Sequence, residues 1–313
     1  MKRVILVRSM WMAAILLGVS FVSFMLMRAL PGDFVLAAAG AQMLQPEVLE
    51  AMRRDLGLNQ PLIEQYLSWL GAVLKGDFGT SFVTHQPVLH ELWPRFLVTL
   101  ELALIAAFIA LVMGVSTGLV SARLRGAADW IVRLYNGFIL AVPNFVVGTL
   151  IVLLVGLYFP ELAVLSYTPF LEDPLGNIAG MILPAFALAL AISVTISENT
   201  RAAVLEVSNQ DFVMVARAKG LLPRTILWNY LMRNALTPII TVTGLQVATL
   251  LGGSIVIETI FAIPGMGQYL FDSITSRDYP VIQAIVLVAA ACVVFINTLA
   301  DIAYATADAR VEA

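Results

Sequence analysis

The chain has 313 residues, of which 60% are hydrophobic and only 12% charged, with a formal net charge of −3 and a mean hydropathy of +0.91. A soluble domain carries about 25% charged residues, so this composition excludes a water-soluble enzyme and points to a membrane protein. The single cysteine, Cys292, lies in a hydrophobic stretch; it excludes an intrachain disulfide and reads as a small apolar packing residue.

A helix needs about 20 apolar residues to cross the hydrocarbon core of a bilayer. Six charge-free windows reach that length: Ser9–Met27, Leu102–Ala122, Leu134–Pro160, Pro174–Ser197, Asn234–Ile257 and Tyr279–Ala300. Six crossings place both termini on one side. The first window has the basic start of a signal peptide in Lys2, Arg3 and Arg8, and small residues at 37–41 imitate a cleavage site. Its hydrophobic run, however, exceeds the roughly 7–15 residues of a signal core. The alanines also lie beyond Arg28 and Pro31, so the segment is read as an uncleaved first helix.

Basic residues in short loops set orientation. With the N-terminus inside, the inner loops collect Arg123, Arg125, Arg133, Arg201, Arg217, Lys219, Arg224 and Arg233, whereas the outer loops after the third and fifth windows hold only Arg277. Trp11, Trp93, Trp130 and Trp228 fall near span ends, where interfacial tryptophans sit.

Between the first two windows lies a long external segment. Pro46-Glu47 opens an expected helix that Gly57 stops after Leu56. Pro61 opens another, with Leu62, Tyr66, Leu67, Trp69 and Leu70 apolar at helical spacing. The segment reads as an amphipathic cap on the membrane domain, or as a docking surface for an external protein. His85 and His90 stand five apart without a nearby cysteine, which is a poor metal set. No metal, cofactor or catalytic residue is expected.

In the third window, Pro143 and Gly148 permit a kink or close helix packing, as does Pro184 in the fourth. Glu101, Glu258 and Asp301 lie at expected span ends. No charge therefore sits mid-membrane, which argues against an ion-coupled carrier. Gln246 and Asn297 are mid-span amides suited to interhelical hydrogen bonds. Pro264-Gly265 turns the last external loop. The three lysines are Lys2, Lys75 and Lys219, and none follows a glycine, so the chain has no phosphate-binding loop.

The segment from Arg201 to Thr241 is the most informative. Flanked by long hydrophobic windows, it still reads as two short amphipathic helices broken at Gly220-Leu221-Leu222-Pro223. Ser208 or Asn209 is the expected N-cap. Asp211 in the first turn, and Arg217 and Lys219 in the last, each suit the helix dipole by about 0.3–1 kcal/mol. Gly220 offers a left-handed stop, and Phe212, Val215 and Ala216 form an apolar stripe. On spacing alone, a knob gripped by another protein and a helix lying on lipid headgroups are equally compatible.

Several strings resemble the permease subunits of binding-protein-dependent ABC importers, in the peptide/nickel branch: RRDLGLNQPLIEQYLSWL and GDFGTSF in the external segment, then GGSIVIETIFAIPGMGQYL from the end of the fifth window onward and SRDYPV beyond it. The branch form of the coupling loop, A-R-A-K-G-L and R-N-A-L-x-P, is intact at Ala216–Leu221 and Arg233–Pro238. The general family pattern is degraded: aligned on Gly220, its leading E-A-A falls on Met214, Val215 and Ala216, and its later run on Tyr230 to Arg233. Leu222 stands where a capping Ser is common, Glu198 where a base is common, and Ala309 in place of a C-terminal proline.

The resemblance implies an all-α, six-helix, MetI-like type I importer permease in a bacterial inner membrane, with cytoplasmic termini. It divides the chain into a tail and first helix (1–28), an external helical loop (29–96) and a five-helix core (97–313) that includes the coupling loop (198–235). Implied partners are a second homologous permease forming a heterodimer, two ATP-binding subunits, an external solute-binding protein and membrane lipid, with no nucleic acid. Asp211, Phe212, Val215, Ala216, Arg217, Ala218, Lys219, Gly220 and Leu221 would couple to the ATPase. Pro143, Gln246, Glu258 and Asn297 are candidates for gating or helix packing. Short peptides are the implied substrate, with nickel chelates, opines or glutathione as alternatives. A secondary carrier and a non-transporting scaffold are the readings from other classes.

Overall fold

The computed structural model describes residues 2–29, 47, 50, 59–124, 126–160 and 167–307. The expected helix from Pro46 to Leu56, apart from residues 47 and 50, and the tail position Ala309 lie outside the described residues. The elements in chain order are α1 (Lys2–Ala29), α2 (Leu62–Val73), α3 (Val88–Arg123), α4 (Ala127–Ala141), α5 (Asn144–Tyr158), α6 (Pro174–Ser208), α7 (Asp211–Ala218), α8 (Pro223–Ile226), a π-helical turn (Leu227–Met232), α9 (Arg233–Ile260), α10 (Met266–Ser276) and α11 (Tyr279–Ala307). Among the described residues the one β feature is an isolated bridge between Thr80 and Pro87.

Five of the six windows fall on helices long and apolar enough to cross a membrane: α1, α3, α6, the run from α8 to α9, and α11. The third window departs from a single straight span. It is broken into α4 and α5, whose axes meet at 90°. Proline has no N–H and disfavours a helical residue before it. Val142 is accordingly extended (φ −101°, ψ 116°) and Pro143 caps the start of α5. α5 has 15 residues, a length of about 22 Å at 1.5 Å per residue.

The chain forms two compact units. The first comprises Met1–Thr99 and Pro264–Phe295. Here Tyr66 of α2 anchors to α1: its hydroxyl lies 2.9 Å from Ser20 Oγ, and its ring meets Phe21 and Phe24 edge-on. Of the apolar stripe expected on α2, Tyr66 is buried, whereas Leu62 and Leu67 are more than half exposed. A second cluster packs Val88 and Leu92 of α3 against Met266 and Tyr269 of α10 and Ile285 of α11. α10 fills a stretch where Pro264-Gly265 suggests only a turning loop. Gly265 opens it, Met266, Tyr269 and Ser273 form its buried side, and Arg277 ends it in the left-handed region.

The second unit comprises Leu100–Ile263 and Ile296–Ala313, with α6 at its core. α3 crosses α6 closely through Gly114 and Gly118. A methyl group at Gly114 would stand 2.6 Å from Ile196 Cβ, and one at Gly118 would stand 2.7 Å from Thr200 Cβ. Between them Thr117 Oγ1 lies 2.9 Å from Ser197 Oγ. Lipid tails are as apolar as leucine, so membrane helices associate through such close packing and polar contacts rather than hydrophobic burial. Gly148 of α5 gives the same closeness to Ile257 of α9. Gln246 does not bridge helices through its Oε1: that atom accepts from Thr249 Oγ1, three residues along the same helix, at 3.2 Å.

Candidate functional site

The segment joining α6 to α9 folds into a rigid knob. α6 ends at Ser208 and α7 restarts after two residues. The expected caps are displaced. Ser208 Oγ donates back to Leu205 O at 2.8 Å, Asn209 closes α6, and the N-cap of α7 is Gln210, which makes no side-chain cap bond. Ser, Thr and Asn favour local bonds to their own backbone, and here Ser208 spends its hydroxyl on the preceding helix.

The far end of α7 is well tied. Gly220 has φ +72°. Gly220 N–H donates to Arg217 O at 3.0 Å and Leu221 N–H donates to Ala216 O at 3.3 Å. This pair of bonds around a left-handed glycine is a complete Schellman motif, and Leu221 packs against the cluster that holds Ala216. Leu222, extended and exposed, then starts α8 with no side-chain cap, and Pro223 takes the first helical position.

Burial divides the stripe read from the sequence. Val213 (0% exposed) and Ala216 (3%) are locked into the chain's own core with Val204, Ile226, Leu231 and Ala235. Phe212 (42%), Val215 (52%) and Met214 (66%) remain exposed, although apolar. Ala216 is therefore part of the knob's foundation and not of its outer face. Asp211, Arg217, Ala218 and Lys219 are also exposed. The Phe212 ring stacks on Tyr230, 6.4 Å between centroids, which ties the outer face to the π-helical turn. That turn carries the positions of the family's later loop run. Asn234 Nδ2 donates to Tyr230 O there, at 2.6 Å.

A polar clasp that sequence reading missed secures the base. Asp129 of α4 accepts from Ser121 of α3, from Arg133 at 2.7 Å, and from Arg201 of α6 at 3.0 and 3.2 Å. The Arg133 hydrogen bond first, then those from Ser121 and Arg201, hold its carboxyl below the usual carboxylate range. Asp129 and Arg201 stand 72 residues apart, so only the fold unites them. Glu198, one turn before Arg201, is exposed.

The four gate or packing candidates occupy different settings. Pro143 is exposed at the α4–α5 break, Gln246 and Asn297 are half-buried on α9 and α11, and Glu258 is completely buried near the end of α9. Glu101 lies within α3, just before the charge-free window that starts at Leu102, and accepts from Tyr167 at 3.4 Å.

Two family descriptions cover the chain. "Binding-protein-dependent transport system inner membrane component" matches residues 110–313, and its N-terminal companion matches residues 1–103. The chain belongs to this permease family. The oligopeptide transport system permease protein AppB of Bacillus subtilis is 38% identical over 322 residues, covering all of both chains. The dipeptide transport system permease protein DppB of Escherichia coli K12 is 35% identical over 321 residues, covering 94% of each. A solved structure of the MetNI methionine ABC transporter, in an inward-facing conformation, aligns with a TM-score of 0.54. It is 17% identical over 69% of this chain and 96% of that one, and shares the permease fold. The permease is thus a multi-pass, all-α, MetI-like membrane subunit, and its knob occupies the loop that the resemblance marked for coupling.

Proposed function

We propose that this permease is one of two membrane-spanning subunits of an ATP-driven importer of short peptides, and that α7 is the element an ATPase subunit grips. The observation that carries this reading is the split of α7 into a buried foundation and an exposed apolar face, closed by the Gly220 turn. A helix merely resting on lipid has no need of a core-anchored inner face. Residues 201–239 tie the knob to both α6 and α9, so a push on Phe212 and Val215 would tilt two crossings together. The chain supplies no phosphate-binding loop, so two separate subunits hydrolyse ATP. A homologous second permease completes the path, and a solute-binding protein delivers substrate to the 29–96 segment. Peptide is the cargo because AppB and DppB carry peptide transport in their names and match along nearly the whole chain.

In this orientation the N-terminus and the knob face the cytoplasm, and the bent α4–α5 pair together makes the third crossing. Cysteine labelling from outside is expected to reach positions 60–90 and 265–275 but not 210–225; outside labelling at 210–225 would overturn the topology. Uptake of labelled dipeptide that needs ATP and stops when Phe212 and Val215 are both changed to Asp, with permease level unchanged, tests the coupling role. Persistence of uptake in that variant would remove it.

A further inference from the structure

We propose that the cavity behind α7 binds the phosphate headgroup of an anionic membrane lipid. The cavity holds about 410 Å³ between the end of α3, the last turns of α6, the Gly220–Pro223 turn and the π-helical turn. Its floor is apolar, with Leu205, Leu227 and Leu231, and its rim carries Arg123, Arg217 and Ser208.

Three observations identify the occupant. First, the rim is cationic and uncompensated. No acidic residue lines the cavity, and among the described residues neither Arg123 nor Arg217 has an ion pair or hydrogen bond. The nearby carboxylate, Asp129, is taken by Arg133 and Arg201. Arg217 lies one turn beyond the fully buried Val213, so it shares the inward side of α7. Guanidinium groups suit phosphate because their fork of donors matches its oxygens.

Second, the cavity lies at headgroup depth. The apolar run of α3 ends at Arg123, and Trp228, 55% exposed, sits on the π-helical turn beside Leu227. Trp130 on α4 is 64% exposed. Tryptophans concentrate at the level of lipid headgroups. Third, cationic rim and leucine floor together fit an amphiphile. Free phosphate would leave the floor bare, and so would an acidic side chain from a protein. Ser208 Oγ already donates to Leu205 O, which leaves it an acceptor for a headgroup hydroxyl. A lipid seated here would wedge the knob against α3 and α6, making its stiffness sensitive to anionic lipid. This rests on the chain's membrane setting and not on α7 gripping an ATPase.

The test is quenching of Trp228 fluorescence in the full-length permease, isolated by subtracting the Trp228→Phe variant. Brominated phosphatidylglycerol and brominated phosphatidylcholine are titrated at equal mole fraction. Phosphatidylglycerol is expected to quench preferentially, with the preference falling about 5-fold for each arginine removed and vanishing in Arg123→Gln/Arg217→Gln. The Arg123→Lys/Arg217→Lys variant should keep a charge-driven preference, and about 10 mM inorganic phosphate should not compete. Equal quenching by the two lipids in the wild type, or a preference that survives in the double Gln variant, overturns the proposal. Competition by inorganic phosphate replaces it with a free-anion site. Absence of lipid preference, combined with loss of ATPase co-purification in the double Gln variant, assigns the arginines to a protein contact instead.

Discussion

The α7 knob and the α10 region are both short helices between longer ones and both pack through an apolar cluster, yet only α10 is also fastened by a set of side-chain hydrogen bonds. α7 is held by apolar burial: Val213 and Ala216 sit in a hydrophobic cluster, and the backbone pair of the Gly220 turn closes its end. The α10 region adds a set of polar side chains to its apolar cluster. Tyr269 donates to Glu91 at 2.6 Å, Arg95 lies 4.1 Å over the Tyr269 ring, and Met266 N–H donates to Thr99. Ser81 Oγ and Phe82 N–H both donate to Asp278, at 2.5 and 3.1 Å. Apolar packing is non-directional and holds the knob by burial alone. Directional hydrogen bonds weaken steeply off their preferred angles, so they also fix the geometry between the elements they join.

Variants can break this contrast, and the largest effect is expected at Gly220. Gly220→Val forces a β-branched residue into the left-handed region, strained by roughly 1–2 kcal/mol, and unties the Schellman turn. Uptake should fall at least about 10-fold at normal permease abundance, with ATPase co-purification reduced; wild-type values for both would show that the turn carries no coupling. Next is Ala216→Asp, which places a charge at a site 3% exposed. An uncompensated buried charge costs about 3–5 kcal/mol, so the knob itself should open, read as protease cleavage within 205–235. Phe212→Asp, on the exposed side, should weaken ATPase association without new cleavage. Identical cleavage in both variants would erase the distinction between the two sides of α7.

In the polar region, Asp278→Ala should leave the buried Ser81 hydroxyl without its carboxylate acceptor, at roughly 1–3 kcal/mol. Hydrogen exchange should quicken at 79–86 and not in α7; unchanged exchange there would remove the clasp's structural role. The pH response is smaller. Asp129 has a lowered pKa when folded, so its contribution is present above the ordinary carboxylate range and lost only as pH falls below it. Tyr269 is raised, first by burial and then by its Glu91 hydrogen bond, so its contribution persists below the normal tyrosine value and is lost only as pH climbs beyond it. Thermal stability should therefore be flat between about pH 5 and 9 as far as these two groups decide it. A transition inside that range that vanishes in Asp129→Asn or Tyr269→Phe would contradict the assigned geometry. Glu312→Ala, on the tail, should change nothing measurable in uptake.

Much of this was legible in the sequence because spanning a bilayer writes itself as charge-free length. The windows found α1, α3, α6, α9 and α11, and the A-R-A-K-G-L string found the knob and its glycine. Window length carries no direction, however, so Pro143 reads as permitting a kink while the 90° angle of the break does not show in the sequence. α10 escaped because Gln268, Asp272 and Ser273 made its stretch look like loop, while Met266, Tyr269 and Ser273 kept a helical spacing. The Gly114–Gly118 pair had the small-xxx-small pattern in plain view. The side of α7 that faces inward could not be read, since Phe212, Val213, Val215 and Ala216 are all apolar. Asp129 with Arg201 could not be read either, because only the fold joins residues so far apart.

The π-helical turn at Leu227–Met232 stores one residue more than an α-helical path needs. A π-turn takes up a surplus residue within one wide turn, so the helix on either side keeps nearly the azimuth it would have without it. Removing one residue from the turn would return it to ordinary helix while α9, from Ala235 to Glu258, keeps its facing relative to α7; removing a residue within α9 would instead rotate every later side chain by about 100°. The turn is thus a slack link, the place where this chain can lose one residue without changing the phase of the helix that follows.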